Sequence, residues 1–278
     1  MPASPVPEDG GAAGLRPLAW ARVAVGAIFL LRSTPVAGVF DPGLGADVHP
    51  LLGWPDSANA VELGLGLSPR LVASLCVVRT IALVAFAAGV RPRLAGIVAV
   101  AAGYAVLYQT PFGFTATQHL LLQATLLLAL ADSSAVLAVR PEAPRSAVSS
   151  VWLLRAFVAS VYAWAAIAKL RADWLDGRTL ALFHEEHKLR GPLADLLLGT
   201  PARCAVAGPV VALVELALGP LLLVRRTRPL GLAIAVVFHL GIEWMGHPDV
   251  IGWVMIALLT VFVAAPIADP GASTQRAQ

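Results

Sequence analysis

The fold class this sequence predicts is all-α: a polytopic transmembrane helical bundle of about eight spans, with both termini cytoplasmic. Three observations predict it. Charged residues are 13% of the 278, hydrophobic residues 58%, and mean hydropathy is +0.77. A soluble domain carries about a quarter charged residues, so this chain cannot clothe a water-facing surface of its length. Its apolar residues come in continuous, non-alternating runs of roughly the 20 residues a helix needs to cross a bilayer. The connections between the runs alternate between basic and acidic.

Taken in order, the first fourteen residues, MPASPVPEDGGAAG, are rich in Pro, Gly and Ala, and residues 1–16 read as a disordered tail. They lack the charged start and small-residue cleavage site of a secretory signal. Spans are expected near 18–39, 70–90, 93–110, 117–139, 150–170, 204–224, 229–246 and 250–266, the third and eighth being short. No internal repeat is evident, so 17–266 reads as one domain, followed by a loose tail at 267–278. Backbone groups in lipid must be satisfied internally, which leaves helices or closed barrels, and non-alternating runs favour helices.

Orientation follows from the short loops. Arg16, then Arg91 and Arg93, then Arg140 and Arg145, then Arg225, Arg226 and Arg228 fall on alternate connections. Asp41, Asp47, Asp56 and Glu62 occupy the first intervening connection, and Asp249 lies near the last. The positive-inside rule then puts both termini in the cytoplasm. The mixed-charge segment 171–203 falls outside and is long enough for a short surface helix or a partial lid.

The net charge of +3 is spread over short loops, which excludes a nucleic-acid footprint. Cys76 and Cys204 each sit in an apolar stretch, so neither a disulfide framework nor a cysteine metal site is available. Arginine outnumbers lysine eighteen to two and alanine is abundant, a codon bias of GC-rich bacterial genomes. Where lysine occurs, it stands out.

Ionisable groups within spans cost about 2.5–3.5 kcal/mol each near a helix centre, and they tend to face the bundle interior. Here they are Arg22, Arg32, Arg79, Arg155, Lys169, Glu215, His119, His239 and Glu243. Lys169 ends the run SVYAWAAIAKL. It can snorkel to the lipid interface, or its amine can act as a general base for a weak acid such as a phenol, which a guanidinium cannot do. His119 opens the fourth span. His239 and Glu243, four apart, share one face of the seventh. A lone helical histidine is more often a hydrogen-bonding core residue than a ligand. Glu243 with His247, and His184 with His187 in FHEEHK, do not match the HExxH pattern, so the metal signal is weak. Topology gathers His119, Lys169, His239 and Glu243 toward one membrane face, where they can line an outward-opening cavity. Arg22, Arg79 and Arg155 lie deeper or toward the inside and read as ties between helices.

AIAKLRADWLDG around 167–177 and FHLGIEWMGHPDVIGWVM at 238–255 carry a resemblance. They are similar to the membrane domain of vitamin K-dependent γ-glutamyl carboxylase and its bacterial relatives, the HTTM family. The resemblance extends from ARVAVGAIFLL (21–31) to the eighth span, and the Lys-Leu-x-x-Asp-Trp-x-x-Gly string from Lys169 to Gly177 is its most specific part. It implies a lysine that deprotonates a hydroquinone, whose anion reacts with dioxygen without metal or flavin and collapses to an epoxide. By position it implies Lys169 as the base and His119 as its catalytic partner. His239, Glu243, Trp174 and Tyr162 are the substrate-binding candidates. No resident cofactor is implied: dioxygen is the cosubstrate and a small hydroquinone the substrate, in a bacterial cytoplasmic membrane.

The chain departs from the animal enzyme in two ways. It stops after the last span, where the animal enzyme continues into a large lumenal substrate-binding region, and Ala168 stands in place of the first of a lysine pair. The expectation is therefore closest to the bacterial epoxidases of small dihydroxyphenyl amides in antibiotic biosynthesis. A peptide γ-carboxylase and a non-catalytic quinone-binding or transport protein are the alternatives.

Overall fold

The computed structural model describes residues 9–33, 67–108, 116–131, 133, 136–140, 147–246 and 250–263. Among these residues the regular structure is helix alone. Helix α1 runs Asp9–Ser33, α2 Pro69–Ala88, α3 Pro92–Leu107, α4 Ala116–Leu130 and α5 Ala147–Lys169. Three short helices follow: α6 (Ala172–Leu175), α7 (Arg178–Glu185) and α8 (Pro192–Leu198). The chain continues through α9 (Pro201–Leu223), α10 (Arg228–Trp244) and α11 (Ile251–Leu259), then a 3-10 turn at Thr260–Phe262.

Local chemistry explains where the helices begin and end. Ser68 and Thr200 accept the backbone N–H of Leu71 and Arg203 ahead of Pro69 and Pro201, the pairing of side-chain cap and first-turn proline that starts a helix cleanly. Gly89 closes α2 in the left-handed conformation. Each expected span overlaps a helix, but three boundaries differ. Helix α1 begins at Asp9, within the stretch read as tail, where alanines favour the helix against the cost of the glycines beside them. Helix α4 stops at Leu130 rather than near 139. Beyond it, Val139 N–H bonds back to Ala88 O, and Arg22 captures the carbonyls of Ser133 and Leu137. Helix α11 is short and gives way to the 3-10 turn.

Among the described residues, three helical stretches are long and apolar enough to cross a bilayer: Arg70–Ala88, Val151–Lys169 and Pro201–Leu223. Their outward faces carry Ile81, Val84, Trp164, Val206 and Leu213, large apolar side chains exposed as lipid contact requires. Inside, Leu18, Val25, Leu83, Phe86, Leu121, Leu128, Val158 and Leu258 form one core. Helix α1 packs against α2, α4 and α11, and α5 packs along α9, which also touches α10.

Hydrogen bonds assign the two ends of this bundle. At one end, Arg93 reaches Leu130 O, Thr260 Oγ1 reaches Pro17 O and Arg155 Nε reaches Val261 O. The basic turns at 91–93 and 140 gather there. At the other end lie the start of α4, the end of α5, the three short helices, and the junction of α10 with α11. There Arg190 N–H bonds to Met245 O. The short helices form a cap with its own small core, Leu180, Leu189, Ala194, Leu198 and Cys204, against which Trp174, Phe183 and Met245 pack. The acidic residues of the first connection, together with Arg145, His247 and Asp249, lie outside the described residues.

Arg22 is fully buried, and its guanidinium donates to Ser133 O at 3.0 Å and to Leu137 O. Replacing it by alanine strips two carbonyls of a charged donor. Arg22→Ala should destabilise the protein by about 2–4 kcal/mol, measured as a lower midpoint of thermal unfolding in detergent. A midpoint equal to that of the native protein would show that Ser133 and residues 136–140 are held by other contacts.

Candidate functional site

The Lys-Leu-x-x-Asp-Trp-x-x-Gly string is a tight reversal that carries the chain from α5 onto the cap. Lys169 is the last residue of α5, where a cation complements the negative end of the helix dipole. The next turn folds Trp174 back over it, so that Lys169 Nζ stands 5.0 Å from the indole ring centroid. The indole N–H in turn donates to Gly208 O at 3.2 Å, tying the turn to α9. Asp173 accepts two hydrogen bonds from Arg171, at 2.8 and 3.2 Å, and one from the Thr179 hydroxyl at 3.2 Å. The hydrogen bond from Arg171 holds the Asp173 carboxyl below the usual carboxylate range. This contact is therefore present at neutral pH and is lost as pH falls through that lowered value, a small effect at so exposed a site.

Gly177 closes the string at φ 81°, and a Cβ there would stand 2.2 Å from the Cys204 carbonyl carbon. Gly208 meets the turn from the other side, with Trp174 O 2.2 Å from where its Cβ would be. Glycine at both positions lets the turn lie directly on α9.

That approach brings Lys169 to Glu215. Nζ lies 3.0 Å from Oε1 and 2.8 Å from Oε2, with Ala165 O a further acceptor at 3.4 Å. Glu215 is buried in the middle of α9, and the lysine side chain is about one-fifth exposed. The sequence marks Glu215 as an in-span charge but does not place it in the site. The signal was that Lys169 and Glu215 are opposite charges on consecutive spans, which tend to pair in a bundle.

Two turns below Lys169, roughly 10 Å along the helix axis, Tyr162 faces α10. Its hydroxyl and His239 Nε2 share a 2.8 Å hydrogen bond between two buried rings. Phe238 packs edge-on to the imidazole. Tyr162 and His239 are thus brought together on the same helices that position the ion pair.

His119 lies at the same end of the bundle within a different group. Its Nδ1 is 3.3 Å from the Tyr104 hydroxyl and its Nε2 is 2.7 Å from Gln123 Nε2, with Tyr108 stacked on Tyr104. Among the described residues, no hydrogen bond joins this group to Lys169. Glu243 turns to the start of α11, where its Oε1 accepts the N–H groups of Gly252 at 2.8 Å and Trp253 at 3.3 Å. A carboxylate at a helix N-terminus stabilises that helix, so Glu243 anchors α11 to α10. His184 contacts Leu189 O and stands 3.7 Å from Asp195.

Among the described residues, two apolar cavities lie at the flanks of the bundle. One, of about 740 Å³, lies between the cap and α9 and is lined by Leu189, Leu197, Val206 and Met245. The other, of about 610 Å³, lies between α1 and α11. Neither borders Lys169.

The family profile described as HTTM domain covers residues 69–266. No curated protein and no solved structure matches. The chain belongs to the HTTM family, membrane proteins that include vitamin K-dependent carboxylase-like enzymes.

Proposed function

We propose that this HTTM protein is a cofactor-independent oxygenase that deprotonates a small hydroquinone and epoxidises it with dioxygen. The reaction balances as hydroquinone plus O2 giving epoxyquinone plus water. Two substrate hydrogens leave with one oxygen atom, and the other oxygen becomes the epoxide. Lys169 is the group that takes the phenolic proton, and it works as a pair with Glu215. Tyr162 and His239 form the floor of the site, Trp174 its lid, and His119 with Tyr104 a second polar wall. The protein sits in a bacterial cytoplasmic membrane with eight spans and both termini inside. Lys169 then opens toward the extracytoplasmic side, and an apolar phenol reaches it from the bilayer.

One observation carries this reading: a rare lysine at the end of a spanning helix, paired with a buried carboxylate and covered by an aromatic ring. Phenol chemistry needs such a proton-handling group in a water-poor site, because an unprotonated phenolate is the species that gives electrons to dioxygen. The test is incubation of the purified protein in detergent with dihydroxyphenyl amides under ¹⁸O₂. The expected product is an epoxyquinone carrying one labelled oxygen, with the second label in water. Absence of oxygenated product across a series of hydroquinones defeats the reading. Incorporation of labelled bicarbonate into a glutamyl peptide would favour the carboxylase alternative instead.

A further inference from the structure

The partners of Lys169 raise a question that the oxygenase reading leaves open: where does the substrate proton go? Among the described residues, everything that surrounds Nζ is electron-rich. Nζ donates to Glu215 Oε1 and Ala165 O, lies 2.8 Å from Glu215 Oε2 in the ion pair, and stands 5.0 Å from the centroid of the Trp174 ring. Such a shell of acceptors and negative charge suits an ammonium and offers nothing to the lone pair of a neutral amine. At rest the pair is therefore ammonium and carboxylate. An ammonium cannot accept a proton.

The carboxylate can. Among the described residues, Glu215 accepts a hydrogen bond from Lys169 at Oε1, while its buried Oε2 accepts none. Glu243 provides the contrast: two backbone N–H groups occupy its Oε1. Glu215 has no backbone donors of that kind, so its remaining lone pairs are open to a proton.

We infer that Glu215 is the proton acceptor that makes Lys169 a base. As a hydroquinone hydroxyl approaches, an N–H bond of Lys169 breaks and an O–H bond forms on Glu215. At the same time the substrate O–H breaks and a new N–H bond forms on Lys169. The pair goes from ammonium and carboxylate to ammonium and carboxylic acid, and the substrate becomes a phenolate beside the retained cation. The charges stay adjacent and the step is neutral overall, which a low-dielectric site requires. Glu215 acts through Lys169, so it is a positioning and proton-accepting residue rather than one that touches substrate. This inference rests on the oxygenase reading above.

The test uses the full-length protein and Glu215→Gln, which keeps size and removes the acceptor. Epoxide formation from an unsubstituted dihydroxyphenyl amide should fall about 10²–10³-fold, while affinity for the product quinone stays within twofold. Activity should return toward the native rate with halogenated hydroquinones that are already ionised in water. Native-rate turnover of the unsubstituted substrate, or a loss that substrate acidity does not restore, would reduce Glu215 to a counterion and overturn the inference. A second measurement needs no variant. Single-turnover formation of the phenolate in H2O–D2O mixtures should give a curved proton inventory, because two protons move, and a linear one rejects the relay. Failure of the native protein on every hydroquinone defeats the oxygenase reading, whereas an active native protein with an equally active Glu215→Gln defeats the relay alone.

Discussion

Lys169→Ala should lower epoxide formation by about 10²–10⁴-fold, the range that a positioned proton-transfer group contributes. That corresponds to roughly 3–5 kcal/mol of lost transition-state stabilisation. The alanine variant also leaves Glu215 a buried carboxylate without its cation, which is itself destabilising. Lys169→Arg separates the two effects. Arginine keeps a positive charge opposite Glu215 and supports the fold, but its guanidinium does not give up a proton at accessible pH. The arginine variant should therefore insert and unfold like the native protein and yet form no epoxide. Product formation is read by mass spectrometry under labelled dioxygen, and stability by thermal unfolding of the same preparation. A catalytically competent arginine variant would end the proton-transfer role of this position.

Gly177→Ala should be strongly destabilising although it adds a single methyl group. At φ 81° an L-residue costs about 1–2 kcal/mol, and the new Cβ would lie 2.2–2.4 Å from three backbone atoms of Cys204 and Ala205. Backbone at the start of a helix cannot step aside as a flexible side chain can, so overpacking adds about 1–3 kcal/mol. Separation of the cap turn from α9 would lift Trp174 off Lys169 and break the indole bond to Gly208. The expected result is a thermal midpoint lowered by several degrees. Trypsin should also cut faster at the cap residues Arg171, Arg178 and Lys188, and activity should be lost with the fold of the site. Gly208→Ala should do the same from the opposite side of the contact. Gly241→Ala, where nothing lies within 4 Å of the added carbon, should be silent. Native stability in Gly177→Ala would mean that the cap does not rest on α9 as closely as 2.2 Å implies.

Much of this architecture is legible in composition and periodicity, because helix formation in a bilayer depends on local properties of the chain. Apolar runs locate the helices, and the basic turns at Arg91, Arg93 and Arg140 come together at one end of the bundle as their alternation implies. Helix ends were less legible. The apolar residues 136–139 extend the hydrophobic run beyond Leu130, yet they lie outside the helix, and Arg22, more than a hundred positions away, holds the carbonyls of Ser133 and Leu137.

The site divides in the same way. The scarcity of lysine singled out Lys169, and the four-residue spacing put His239 and Glu243 on one helix. Their partners depended on the rotation of each helix against its neighbours. Tyr162 meets His239, Lys169 meets Glu215, and Glu243 turns away to cap α11, although His239 and Glu243 are one turn apart. Glycine at 177 and 208 looks in the sequence like loop and helix punctuation, and only the contact of the turn with α9 shows why no side chain fits at either. By itself the sequence determined a helical membrane protein with its rare lysine at one end, because hydropathy and charge act on each segment separately. The tertiary structure decided which carboxylate receives that lysine, because pairing between helices is set by packing distances that no single segment contains.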